Sequence, residues 1–277
     1  MGIWDDPDLY DFAANAYQHD VLYWEWLIEA QRPGTVLELA CGTGRLIVPM
    51  VGVGRSYNPA FRLVGLDSSE SFLDRARAKL IARGPEWASA VELVRGDMRD
   101  FALDERFDLI VLGFSSIQYL LTIDDQLACF HQIRRHLAPG GRFAFEVSRP
   151  WVDVLIELDA NLLKPLLEAD VDQPTPEIDR YLRWVVGRYD PVTQNVATTF
   201  LHEFYRDGVM QERRIQATMI HFFFPCELEL LCRIAGLAPV ERYGGYNRRP
   251  YDERSRLYLW IMAAQEQMNS TVRPASN

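Results

Sequence analysis

Two spacings of apolar residues share the first half of the sequence. Short apolar runs at Thr35–Leu39 (TVLEL), Phe61–Leu66 (FRLVGL), Val91–Val94, Phe107–Leu112 (FDLIVL) and Arg142–Val147 (RFAFEV) have the length and residue types of strands. Between them, apolar residues recur at helical spacing in the segment that begins IVPMV at Ile47, in SSESFLDRARAKLIA from Ser68, and in Asp125–Leu137 (DQLACFHQIRRHL). Ser68 or Ser69 is expected to cap the second of these helices, with Glu70 in its first turn, where the helix dipole favours an acid. Strands alternating with helices through residue 147 predict a parallel, doubly wound sheet.

After Pro150 the spacing changes. Trp151–Leu167 (WVDVLIELDANLLKPLL) reads as a helix interrupted at Pro165, and Gln173–Glu177 (QPTPE) as a proline-rich break. Tyr181–Tyr189, Asn195–Tyr205 and Gln211–Phe224 are β-rich runs separated by the turn signals DPVTQ and RDGVM, which predicts an antiparallel meander. Cys226–Ala235 resumes as a helix closed by Gly236, and Ala238–Tyr243 and Leu257–Ala263 read as two last core strands. The prediction is therefore an α/β fold: a doubly wound, seven-stranded, mostly parallel sheet built from residues 1–150 and 224–265. Residues 151–223 form an inserted antiparallel β unit, a lid over substrate or a dimerisation sheet, and the polar tail 266–277 is expected to be disordered.

Composition narrows the function. Of 277 residues, 48% are hydrophobic and 25% charged, enough apolar material for a substantial core. With 39 acids against 29 Lys and Arg, the net charge of −10 repels nucleic acid and anionic membranes and favours a small-molecule partner. No apolar run approaches the about 20 residues of a membrane span, and the N-terminal residues are acidic where a secretory signal is basic, so a cytoplasmic protein is expected. Cys41, Cys129, Cys226 and Cys232 form no CxxC or zinc spacing and read as reduced thiols, with no metal site.

The most informative segment is Glu38-Leu39-Ala40-Cys41-Gly42-Thr43-Gly44-Arg45, an acid at a strand end followed by two glycines that let backbone approach a ligand. A nicotinamide oxidoreductase would want a third glycine where Ile47 stands, and a pyrophosphate would sit poorly beside Glu38. The acid suits a ligand with a cationic group, such as the ammonium and sulfonium of S-adenosylmethionine. Asp67 closes the second strand in VGLDSS, and GDMRDF and GFSSIQYLL follow the third and fourth.

With these elements the sequence resembles the class I S-adenosylmethionine-dependent methyltransferases of the small-molecule type, over roughly residues 10–150 and 225–264. It is also similar to bacterial enzymes that N-methylate amino sugars and related metabolites. The resemblance implies a cofactor site made by Glu38, Ala40, Gly42 and Gly44, with Asp67 and Ser68 at the ribose, Asp97 and Met98 at the adenine, and Phe114 toward the methyl end. Ala40 stands where many members carry glycine. It further implies that an N-terminal segment bearing Tyr10 and Tyr17 closes over the cofactor, with Tyr17 and Arg45 at the methionine carboxylate.

For the acceptor the insertion is the expected wall, and His221, His202 and Tyr246 are the candidate bases, each also readable as a structural residue. Arg248 and Arg249 are either anion contacts or solvated loop residues. A nucleic-acid methyltransferase on the same core would want a basic face and an Asn/Asp-Pro-Pro-aromatic clamp where GFSS stands. A cofactor-binding protein without catalysis, and a homodimer through the inserted sheet, stay open.

Overall fold

The computed structural model describes residues 6–15, 18–159, 162–170 and 178–265. Tyr17, the break at QPTPE and the tail 266–277 lie outside the described residues. Two helices, α1 (Pro7–Asn15) and α2 (Val21–Gln31), precede β1 (Thr35–Leu39). Then follow α3 (Ile47–Tyr57), β2 (Arg62–Asp67), α4 (Glu70–Arg83), the single turn α5 (Pro85–Ala88), β3 (Val91–Arg95), β4 (Phe107–Leu112), α6 (Ile123–His136) and β5 (Leu137–Ser148). The remaining elements are α7 (Val152–Asp159), β6 (Lys164–Asp170), β7 (Arg180–Tyr189), β8 (Asn195–Arg206), β9 (Val209–His221), α8 (Pro225–Ile234), β10 (Leu237–Tyr243) and β11 (Leu257–Ala264).

The main sheet has seven strands in the order β10-β11-β5-β4-β1-β2-β3. β1 to β5 run parallel, and β11 joins antiparallel to both β5 and β10. The central strands are apolar on both faces because both are covered. Leu37, Ile110, Phe143 and Phe145 face α6 and α8 through Phe130, Ile133, Leu228 and Leu231. Val36, Leu109, Val111 and Ala144 face α2, α3 and α4 through Trp24, Leu27, Met50 and Leu73. The strand order reverses between β1 and β4, and that reversal leaves a crevice at their C-terminal ends.

The second sheet, β6-β7-β8-β9, is wholly antiparallel and is inserted between β5 and α8. Its presence bears out the predicted meander, with one correction to the segment before it. The expected helix over Trp151–Leu167 stops at Asp159, and Lys164–Asp170 is instead an edge strand paired to β7. Pro165 is compatible with that edge, where an amide donor is dispensable, and it ended the helical pattern for the same reason. The Ser69 hydroxyl likewise does not cap α4; the Asp67 carboxylate accepts from the Ser69 amide at 2.9 Å. All four cysteines are free thiols, Cys226 exposed and the other three buried. Among the described residues no helix is long and apolar enough to cross a membrane, and no cluster of His, Cys, Asp and Glu has metal-binding geometry.

α3 packs onto the core through Gly54, where any Cβ would run into the fully buried ring of Phe61. Gly54→Ala is therefore expected to destabilise the fold by roughly 1–2 kcal/mol, the overpacking penalty outweighing the better helix propensity of alanine. Urea denaturation of the variant against the parent measures it.

Candidate active site

The loop after β1 turns sharply because Ala40, Gly42 and Gly44 all adopt the left-handed region, at φ 51°, 58° and 74°. Gly44 is additionally pressed against α4, where a Cβ would lie 3.1 Å from that of Ala76. At Gly42 the nearest neighbours of a Cβ would be Tyr10 and Phe72, at 3.7 Å and beyond, so the backbone there has room to meet a ligand. Ala40 holds a conformation that would suit glycine, so the departure from the family pattern is accommodated by local strain and not by a different turn.

Asp67, at the end of the neighbouring β2, fixes this loop. Its Oδ2 accepts from the Gly42 amide at 2.8 Å and its Oδ1 from the Ser69 amide. Burial pushes the Asp67 carboxyl up, and those amide hydrogen bonds pull it back. Each oxygen retains a lone pair for a further donor such as a ribose hydroxyl. The carboxylate and the loop open into a cavity of about 170 Å³ whose walls include Tyr10, Ala40, Gly42, Asp67, Ser68, Met98, Phe114 and Tyr119. An adjoining groove of about 230 Å³ shares Ala40, Asp67, Ser68, Met98 and Tyr119 and runs on past Gly96 and Asp97. Asp97 is clamped by the Arg99 side chain, with Nε at 3.0 Å and Nη2 at 2.6 Å, which lowers its pKa and keeps it an acceptor. The predicted adenine and ribose residues thus share one continuous groove.

Glu38 lies behind the loop and does not line the cavity. It is 3% exposed, its Oε2 has no hydrogen-bond partner, and burial pushes its carboxyl up to about 8, with Arg45 pulling it back and Asp67 and Asp20 pushing it further. A buried carboxyl of this kind suits a cationic ligand, whose charge would favour its ionised form. The Arg45 guanidinium makes a two-pronged pair with Asp20, at 2.8 and 2.5 Å, and stands 4.7 Å from the centre of the Phe114 ring. Its charge is therefore already matched within the fold. Phe114 and Ser115 both take positive φ, which turns Phe114 into the cavity.

The walls facing the loop include His202, a candidate from the sequence, together with residues the sequence did not single out. α1 closes one wall with Leu9, Tyr10, Ala13 and Ala14, and is anchored through Asp11, which accepts from Thr43 Oγ1 at 2.5 Å and Lys79 Nζ at 2.8 Å. The inserted sheet closes the opposite wall with Arg183, His202 and Gln216 from three successive strands. His202 shares a 2.6 Å hydrogen bond between Nδ1 and the Tyr181 hydroxyl. Its Nε2 lies near the Gln216 amide without a hydrogen bond of good geometry. Burial and then the Arg183 charge hold the His202 imidazole down to about 4.

Neither of the other two candidate bases lines the cavity. His221 is buried at the foot of the inserted sheet, with Nδ1 2.9 Å from Asn195 Oδ1, Nε2 3.4 Å from Glu227 Oε1, and its ring edge-on to Phe223. Tyr246 packs on Tyr23 beside Glu146, a buried acid of β5 whose carboxyl burial pushes up to about 7. Arg248 covers Trp26 and Arg249 pairs with Asp252 in the loop before β11.

Residues 36–141 match the family described as a methyltransferase domain. The chain is 29% identical to the cypemycin N-terminal methyltransferase of a Streptomyces species over 83% of each protein. It is 34% identical to the dTDP-3-amino-3,4,6-trideoxy-alpha-D-glucopyranose N,N-dimethyltransferase of Streptomyces venezuelae over 45% of this chain, spanning about half (46%) of that relative. The solved CcbJ methyltransferase from Streptomyces caelestis superposes with a TM-score of 0.71 at 25% identity, covering 89% of this chain and 96% of that one.

Two outcomes are expected of the cofactor groove. Asp67→Ala should weaken S-adenosylhomocysteine binding by about 1.5–3 kcal/mol, read by calorimetric titration, the scale of hydrogen bonds to a charged acceptor. For Glu38 the folded pKa lies above the ordinary carboxylate value, so its contribution favours the fold at low pH and is lost as pH rises toward about 8. A cation bound beside it favours the ionised form. S-adenosylmethionine affinity should therefore climb with pH up to about 8 and flatten above, with proton release on binding. Glu38→Gln should abolish that slope and weaken binding at pH 8 by roughly ten-fold, the equivalent of one pKa unit, while raising stability there. Parallel titrations and melts across pH test both arms.

Proposed function

Given that this chain is an S-adenosylmethionine-dependent methyltransferase, we propose that it methylates the amine nitrogen of a small acceptor, an amino sugar or kindred natural product, seated beneath the inserted sheet. When bound, the cofactor supplies a methyl group on positive sulfur, open to in-line attack by a lone pair. Gly42, Asp67, Ser68, Asp97 and Met98 would hold its nucleoside, with the Glu38 carboxyl buried behind the loop.

One observation carries the choice of nitrogen. The imidazole facing the cavity, His202, is held down to about 4, too weak a base to take a proton from a hydroxyl at neutral pH. The burial that depresses His202 also depresses the pKa of an ammonium placed beside it, so a bound amine would present its lone pair without a strong base. His202 Nε2 and the Gln216 amide are positioned to orient that acceptor, and Leu9, Ala13, Ala14 and Phe114 make the surroundings dry. Nitrogen is also the atom named in the amino-sugar relative, an N,N-dimethyltransferase, which supports the reading.

Matched amines, alcohols and phenols, including amino sugars and their hydroxyl counterparts, should separate cleanly when S-adenosylhomocysteine release and methylated product mass are followed. Amines should react and alcohols should not; transfer to hydroxyls alone overturns the reading. His202→Gln should lower kcat/KM by roughly ten-fold, short of the ~10²–10⁴-fold expected for loss of a general base.

A further inference from the structure

The inserted sheet is rich in arginine, and several of these arginines are paired. Arg213 holds Glu203 at 2.5 Å, Arg214 holds Asp6 at 2.8 Å as well as Glu212, and Arg206 reaches Asp207 at 3.4 Å. Arg183 is different. Among the described residues it has no ion pair, its guanidinium carbon stands 4.1 Å from the centre of the Phe200 ring, and its Nε is buried without a hydrogen-bond acceptor.

The register of the sheet explains where this charge is delivered. Arg183 on β7 lies opposite His202 on β8, which lies opposite Arg214 on β9, with Gln216 two residues further along the same face. That face is the cavity wall. Three polar atoms there, Arg183 Nε, His202 Nε2 and Gln216 Nε2, are shielded from solvent and lack hydrogen-bond partners, while His202 and Gln216 as whole residues are 1% and 3% exposed. A guanidinium and a side-chain amide bring donors, and His202, held through Nδ1 by its hydrogen bond with the Tyr181 hydroxyl, presents Nε2 to the same space. Arg183 itself is only partly buried, but its Nε is shielded and has no acceptor, and the sulfonium of the cofactor adds positive charge to the same enclosure. No acid of the described residues lines the acceptor side to offset it.

We propose that Arg183, with Gln216 and His202 beside it, is an oxyanion subsite: the acceptor carries a carboxylate or phosphate that pairs with Arg183 while its amine faces the cofactor. This rests on the reading that the acceptor occupies this cavity, and it deepens that reading by fixing the acceptor's charge. The arginine fork accepts either oxyanion in two-point fashion, so carboxylate and phosphate are separate arms of one test.

The test uses three matched amines on one carbon skeleton: 4-aminobutyrate, 4-aminobutyl phosphate and the uncharged 4-aminobutanamide. In parallel, the S-adenosylhomocysteine-loaded protein is titrated with butyrate, butyl phosphate and butyramide, which carry no amine and need no turnover. At least one anionic member should exceed the neutral one by ten-fold or more in both kcat/KM and affinity, and the better arm identifies the oxyanion. Arg183→Gln should collapse that ratio toward unity, chiefly through KM. Arg183→Lys should restore some of it. Unchanged S-adenosylhomocysteine affinity shows that each variant keeps its core. Equal affinity for charged and neutral probes overturns the subsite, as does a preference that survives Arg183→Gln. Anion binding that depends on Arg183 without methylation of any amine sustains the subsite and counts against nitrogen as the attacking atom. Methylation of all three amines at equal rate does the reverse.

Discussion

A single hydrogen bond organises the cofactor end of this protein, that from the Gly42 amide to the Asp67 carboxylate. It ties the loop leaving β1 to the end of β2, the two strands that flank the crevice on one side of the switch point. An open sheet splays its loops apart where the chain reverses direction. Asp67 counters that tendency at the position where a nucleoside would lie, and the left-handed residues of the β1 loop let the amide turn toward it. One carboxylate therefore shapes the loop and also offers lone pairs to a ligand.

Charge is distributed unevenly around the resulting space. On the core side, Glu38 and Glu146 are buried acids whose carboxyls burial pushes up to about 8 and about 7, with Arg45 already matched by Asp20. On the inserted side, a neutral imidazole and a guanidinium unmatched among the described residues face inward. The first arrangement favours a cationic cofactor, and the second disfavours further positive charge on the inserted side. This division follows from which strand ends face the crevice, so the sheet topology itself separates the two halves of the chemistry.

The core was largely legible in the sequence because its signals are local. Strand, glycine turn, acid and helix start all fall within one window around Glu38–Gly44, and Asp67 and Asp97 follow at the ends of the next two strands. The insertion and His202 were legible as candidates for the opposite wall, but Arg183 and Gln216 were not, because that wall is made by register. Arg183, His202 and Gln216 belong to three strands, and only the pairing of those strands brings them onto one face. His221 was as plausible as His202 by residue type and by its place in the meander, yet it sits at the far end of β9, engaged by Asn195 and Glu227. The error over Trp151–Leu167 has the same origin: apolar residues spaced like a helix also fit an edge strand once a proline has ended the turn.

Helix α1 faces two ways. Through Asp11 it grips Thr43 and Lys79 beside the glycine loop, and through Leu9 and Phe12 it joins Tyr181 and Phe204 of the inserted sheet. It is a strut shared by both halves of the molecule. A shift of α1 would disturb the polar grip and the aromatic joint together, so the glycine loop and the second sheet are held in place relative to each other through this one helix.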